Sequence, residues 1–192
     1  IEAYAQLPVT PVAEWWTRPP TEWPELIQFK DGDISISDLA IRFTDDEVTT
    51  DWVYDQQNNV LVHELLVVLR VTGQSANLSL NRVKMEGGFA DTMVPWGRLN
   101  AQFAVLAEPW EFPGALVGTM SIKGSVFLNI NVAVGAFALD SSKITIGGSP
   151  STRNLFEDVE QPVYLPYLQN SSSEISYNKI VRTIWSGIML DQ

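Results

Sequence analysis

From Met120 to Leu139 the chain alternates. Met120, Ile122, Val126, Leu128, Ile130, Val132, Val134, Ala136 and Ala138 share one parity, broken only by Gly124, while Ser121, Lys123, Ser125, Asn129 and Asn131 fall on the other. An apolar period of two is the signature of a β-strand with one buried face. The run is longer than one ordinary strand. It therefore predicts either two strands joined with the parity kept or one long, bent strand.

Shorter runs repeat the signal. Ile34 and Ile36 alternate with Ser35 and Ser37, and Leu39, Ile41 and Phe43 continue with shifted parity, which predicts a β-bulge near Asp38. Gln56–Asn59 separates Trp52-Val53-Tyr54 from the apolar run at Val60 and predicts a hairpin. Leu65–Leu69 is apolar on both parities, as in a central strand buried on both faces. Leu78, Leu80, Val83 and Met85 slip parity once more before Gly87-Gly88, and Leu99 to Ala107 alternates cleanly. Ile144 and Ile146 run into Gly147-Gly148-Ser149-Pro150, and Ile180, Arg182 and Ile184 alternate near the C-terminus. Asn154–Val159 gives the single helical signal, about one turn. Roughly eight to ten short strands with almost no helix predict an all-β fold, an antiparallel β-sandwich of jelly-roll type.

Residues 1–24 read differently. Pro8, Pro11, Pro19, Pro20 and Pro24 surround Trp15, Trp16 and Trp23, and proline excludes a helix or a central strand, so the segment is expected to run as an extended arm. Indoles are favourable to bury, so the arm is expected to dock. The predicted organisation is an arm over 1–24 and a single sandwich domain over 25–192.

Composition narrows the partners. The net charge is −11, and residues 1–64 hold thirteen acids against Arg18, Lys30 and Arg42. With no offsetting basic cluster, direct nucleic-acid binding is not expected. The absence of cysteine excludes disulfides and thiolate metal sites. No apolar run reaches the ~20 residues of a membrane helix. The chain starts at Ile1 rather than Met and finishes at Gln192, which is read as processing from a longer precursor.

Candidate chemistry is sparse. His63 is the only histidine, and Glu64 beside it points to the opposite face of a strand, so no triad or zinc site is expected. Asp31, Asp33, Asp38, Asp45, Asp46, Glu47 and Asp51 are dense enough to supply calcium ligands but match no EF-hand spacing, and read as a solvated face. Glu108 and Glu111 flank Trp110 without a placement that would make them a hydrolytic pair. Asn77-Leu78-Ser79 and Asn170-Ser171-Ser172 are glycosylation sequons. The tryptophans Trp15, Trp16, Trp23, Trp96 and Trp110, each near a proline, read as subunit-contact residues.

No catalytic, cofactor or metal site is expected, and the chain reads as a structural, non-enzymatic assembly subunit. The proline- and tryptophan-rich arm, the weakly charged strand block and the processed start resemble virus capsid subunits of the jelly-roll kind. That resemblance implies self-assembly with copies or sister chains in a virion. The alternatives are a secreted filament or surface-layer subunit that assembles by N-terminal strand addition, and a carbohydrate-binding β-sandwich that uses exposed tryptophans.

Overall fold

A computed structural model describes residues 25–42, 53–55, 60–62, 67–72, 76–87, 103–108, 117–136, 143–165, 172–183 and 186–190. The arm over 1–24, all five subunit-contact tryptophans, His63, the carboxylates of 45–51, Glu111 and Asn170 lie outside them.

The chain winds in successive turns, each of which lays one strand on each of three faces. The first turn holds β1 (Glu25–Lys30), β2 (Asp33–Ser37) and β3 (Ala40–Arg42). A hairpin follows, with β4 (Val53–Asp55) antiparallel to β5 (Val60–Val62) across Gln56–Asn59. The second turn is β6 (Val67–Thr72), β7 (Ala76–Asn81) and β8 (Lys84–Glu86); the third is β9 (Phe103–Glu108), β10 (Val117–Lys123) and β11 (Val126–Leu128). The fourth is β12 (Val132–Ala136), β13 (Lys143–Gly147) and β14 (Leu155–Glu157). The fifth is β15 (Gln161–Leu165), β16 (Ser172–Ser176) and β17 (Lys179–Val181), and β18 (Ile188–Leu190) opens a sixth.

Apart from that hairpin, the described strands pair only with their equivalents in the turns before and after, and always in parallel. The first face runs β1-β6-β9-β12-β15-β18, the second β2-β7-β10-β13-β16 and the third β3-β8-β11-β14-β17. This is a three-faced parallel β-solenoid, and the expected antiparallel jelly-roll sandwich is overturned. Alternation identifies a strand and its buried face but carries no information on the direction of its neighbour. The helical turn expected at Asn154–Val159 is instead β14 and a corner, and the only helical geometry among the described residues is a 3-10 turn at Pro150–Thr152.

The corners explain the parity slips. Between the second and third faces Asp38, Arg82, Gly124, Gly148 and Tyr177 all have φ between 54° and 100°. Between the third and first faces Asn129, Asp158 and Arg182 have φ of 53–54°. One residue in the left-handed region bends the strand through the corner and shifts the inward parity by one. The predicted bulge at Asp38 is such a corner, and so is the slip at Arg82.

Four segments share one pattern through this bend: Ile34-Ser-Ile-Ser-Asp-Leu-Ala-Ile41, Leu78-Ser-Leu-Asn-Arg-Val-Lys-Met85, Met120-Ser-Ile-Lys-Gly-Ser-Val-Phe127 and Ser173-Glu-Ile-Ser-Tyr-Asn-Lys-Ile180. In the fourth turn the same pattern is split by Ser149–Arg153. Inside, like stacks on like: Ile36, Leu80, Ile122, Ile146 and Ile175 form one column, and Ile41, Met85, Phe127, Phe156 and Ile180 another. The Phe127 and Phe156 rings stack at 5.2 Å and 7°. Each fully buried aliphatic or aromatic side chain contributes ~1.5–3 kcal/mol.

One internal corner is polar. Asn154, fully buried, accepts from the Ser125 backbone N–H at 2.8 Å and donates to Ile122 O at 2.9 Å and to Asn178 Oδ1 at 3.0 Å. Asn178 donates to Ile146 O at 2.8 Å, and Ser125 Oγ accepts from Val83 N at 3.2 Å. Backbone groups at and beside this corner are thus bonded from within by side chains.

Candidate functional site

The three outer faces differ in chemistry. The second carries small polar side chains in register, including Ser35, Ser79, Ser121 and Thr145. Along its edge Asn77 donates to Asp33 at 2.7 Å and accepts from Thr119 at 2.8 Å. The third carries Val126, Leu128, Leu155 and Val181 among charged neighbours, with ion pairs such as Lys84–Glu86 at 2.7 Å. Exposed Arg82 forms a two-pronged pair with Asp38, both bonds 2.6 Å, because their left-handed corner positions lie one above the other. The hydrogen bond from Arg82 holds the Asp38 carboxyl below its ordinary value. Arg182 similarly clasps Asp158, at 2.7 and 2.8 Å, and Glu157, and its guanidinium is held more basic by those bonds.

The first face is built on a different rule. In each turn one residue faces out, two face in, one faces out and one faces in: Val67-Val-Leu-Arg-Val71, Phe103-Ala-Val-Leu-Ala107, Val132-Ala-Val-Gly-Ala136 and Gln161-Pro-Val-Tyr-Leu165. The second residue of each set makes no ladder pair, and in the fifth turn it is Pro162, which has no N–H to offer. The doubled inward pair Val68-Leu69 accounts for β6 reading apolar on both parities at its start, while Leu65 and Leu66 lie outside the described residues.

The outward residues form two columns along the solenoid axis, Val67–Phe103–Val132–Gln161 and Arg70–Leu106–Gly135–Tyr164–Met189. Val67, Phe103, Leu106 and Val132 are buried, with Tyr164 packed on them, so they make a small apolar cluster separate from the main core. Gly135 has a specific task in it. A Cβ there would lie 3.0 and 3.1 Å from the Phe103 ring and 3.3 Å from Leu106, so the absent side chain is what lets that ring settle across the column.

Over the later turns of this face lies a groove of about 640 Å³, lined by Phe103, Val132, Gln161, Tyr164, Ile188 and Met189, with Asn131, Glu160 and Ser186 at the corner. Each corner residue stands just ahead of a first-face strand, and backbone bonds lock successive turns there: Gln161 N donates to Asn131 O at 2.7 Å and Glu160 N to Ile130 O at 3.2 Å. Thr183 Oγ1 donates to Glu160 O at 3.1 Å. The groove crosses β9, β12, β15 and β18, a span of roughly 14 Å at strand spacing. Its volume falls in the range of small-ligand sites. Among the described residues its lining combines two aromatic rings, two amides, the Ser186 hydroxyl and one carboxylate, with no basic group. The Gln161 Nε2 atom is shielded from solvent and has no hydrogen-bond partner.

Of the residues expected to carry function, the described ones, among them Asp31, Asp33, Asp38 and Glu108, are not in the lining of this groove, and the rest lie outside the described residues. Among the acids expected as possible calcium ligands, Asp33 and Asp38 are bonded to Asn77 and Arg82, and no group of three or more metal-ligating side chains occurs among the described residues. No described helix is long and apolar enough to cross a membrane. Comparison with protein-family profiles, curated proteins and solved structures gives no match for this chain.

Proposed function

We propose that this chain is a non-enzymatic, carbohydrate-binding β-solenoid module, secreted or displayed at a surface, that holds an uncharged saccharide in the first-face groove. The observation that carries this reading is the groove's lining. Tyr164 offers apolar ring surface for the C–H face of a sugar over the buried Phe103 ring, while Asn131, Gln161 and Ser186 offer neutral hydrogen-bonding groups for its hydroxyls. With Glu160 as the only ionic group among the described lining residues and a chain charge of −11, a phosphate or a polyanionic glycan is disfavoured. Among the described lining residues a single carboxylate does not make the pair that glycoside hydrolysis requires, which favours binding without turnover.

The jelly-roll capsid reading falls with the sandwich. What remains of the assembly reading rests on β18, the edge strand of the first face, where Ile188, Met189 and Leu190 are 42–51% exposed. Strand addition at that edge by a second copy is the competing role.

A glycan array probed with the intact chain separates the two. Binding to neutral oligosaccharides that is lost in Tyr164→Ala, with the chain monomeric in light scattering, supports the module. An array blank for every neutral glycan, with concentration-dependent growth in mass, supports assembly instead.

A further inference from the structure

Among the described groove residues, Gln161 carries a shielded side-chain donor without a partner. Its backbone N–H is committed to Asn131 O at 2.7 Å, which fixes the residue at the start of β15, directly above Val132 and one column from Tyr164. Its side-chain Nε2 is shielded from solvent yet bonded to nothing. A buried amide donor without a partner is unfavourable, and surrounding polar groups normally remove such a defect. Here the described residues before it on its own column, Val132 and then Phe103, have no side-chain acceptor to give. The final torsion of a glutamine is soft and nearly two-fold, so the amide can turn toward the groove at little cost.

Resting on the saccharide reading above, we propose that Gln161 is the specificity-determining residue of the groove. Its amide turns outward on ligand entry, and Nε2 donates to a hydroxyl or ring oxygen of a sugar stacked on Tyr164. An interaction available only with ligand present leaves the free protein bearing the unsatisfied donor. A site with a buried polar group also discriminates strongly against analogues that cannot pair with it. Recognition therefore depends on the sugar oxygen that meets Gln161, and a ligand deoxygenated at that position is rejected.

The test uses the intact chain and Gln161→Met, which keeps the length and removes the amide. Calorimetric titration with the best-binding neutral oligosaccharide is run beside a thermal melt of the ligand-free proteins. The expected result is a tenfold or greater loss of affinity in Gln161→Met while its ligand-free Tm is unchanged or higher, since the variant no longer buries an unpaired donor. Equal affinity in the two proteins overturns the role of Gln161 and leaves the saccharide reading standing. A Tm lowered by several degrees overturns it too, because it would show the amide to be a structural partner in the free protein. If the intact chain binds no neutral oligosaccharide, the saccharide reading itself fails.

Discussion

Replacing Asn154 by alanine tests how the stacked turns are held. The side chain serves three turns at once: it accepts from Ser125 N in the third, donates to Ile122 O in the same turn, and donates to Asn178 Oδ1 in the fifth. Asn154 is fully buried, and truncation removes the partner of the buried Ser125 N–H, one bond to the Ile122 carbonyl and the donor to Asn178 Oδ1. Each buried group left unsatisfied costs ~1–3 kcal/mol, so the loss is about 2–5 kcal/mol. At ~2–4 °C per kcal/mol for a chain of this length, the Tm falls by roughly 5–15 °C. Urea unfolding followed by tryptophan fluorescence, alongside the melt, gives the free energy directly. Asn178→Ala, at the part-buried end of the same ladder, is expected to cost less. A change below ~1 kcal/mol for Asn154→Ala would refute the claim that this ladder ties the turns together.

Gly147→Ala places a Cβ 1.9 Å from Ser176 O at a φ of +98° and is expected to destabilise by more than ~2 kcal/mol in the same unfolding assay, whereas Gly32→Ala, at φ +89° with open space around it, costs only about 1 kcal/mol of backbone strain. Phe156→Ala removes one ring of the stacked pair in the core and is expected to lower stability by ~3–5 kcal/mol. Because bonding to Arg82 depresses the Asp38 pKa below 3.8, that pair's contribution is present above the ordinary value and fades as pH falls through the lower, folded-state value. Asp38→Asn should therefore flatten the stability curve only at that acid end, read by melts across pH 2–5. Gly135→Ala displaces the Phe103 ring, and weaker saccharide binding with a Tm change of only a few degrees is the expected pair of readouts.

The strands were legible in the sequence because burial of one face writes itself as alternation. Their arrangement was not. Met120 to Ala138 keeps one apolar parity on paper, yet Gly124 and Asn129 are corners, so Phe127 points into the core while Val126 and Leu128 lie outside. A sandwich and a solenoid both bury alternate residues, and the distinguishing signal was the repeated eight-residue pattern ending at Ile41, Met85, Phe127 and Ile180. Unequal connections hide that period: Phe103, Val132 and Gln161 recur every 29 residues, but the hairpin segment and a further connection stretch the earlier turns. The groove was hidden for a related reason. Phe103 falls in a clean alternation with Val105 and Ala107 and so reads as core, but the doubled inward pair Ala104-Val105 turns its ring outward. Gln161 and Tyr164 become conspicuous only when the out-in-in-out-in sets are aligned, where an amide follows Val67, Phe103 and Val132 in one column and a phenol follows Leu106 and Gly135 in the other.

The most direct measurement is amide chemical-shift mapping of the isotopically labelled chain titrated with neutral oligosaccharides. The solenoid reading predicts saturable shifts concentrated at Phe103, Asn131, Glu160, Gln161, Tyr164 and Met189, residues far apart in sequence that share one groove, with Ser79 and Ser121 on the second face unmoved. Shifts centred on the second face, or none at saturating saccharide, would contradict it.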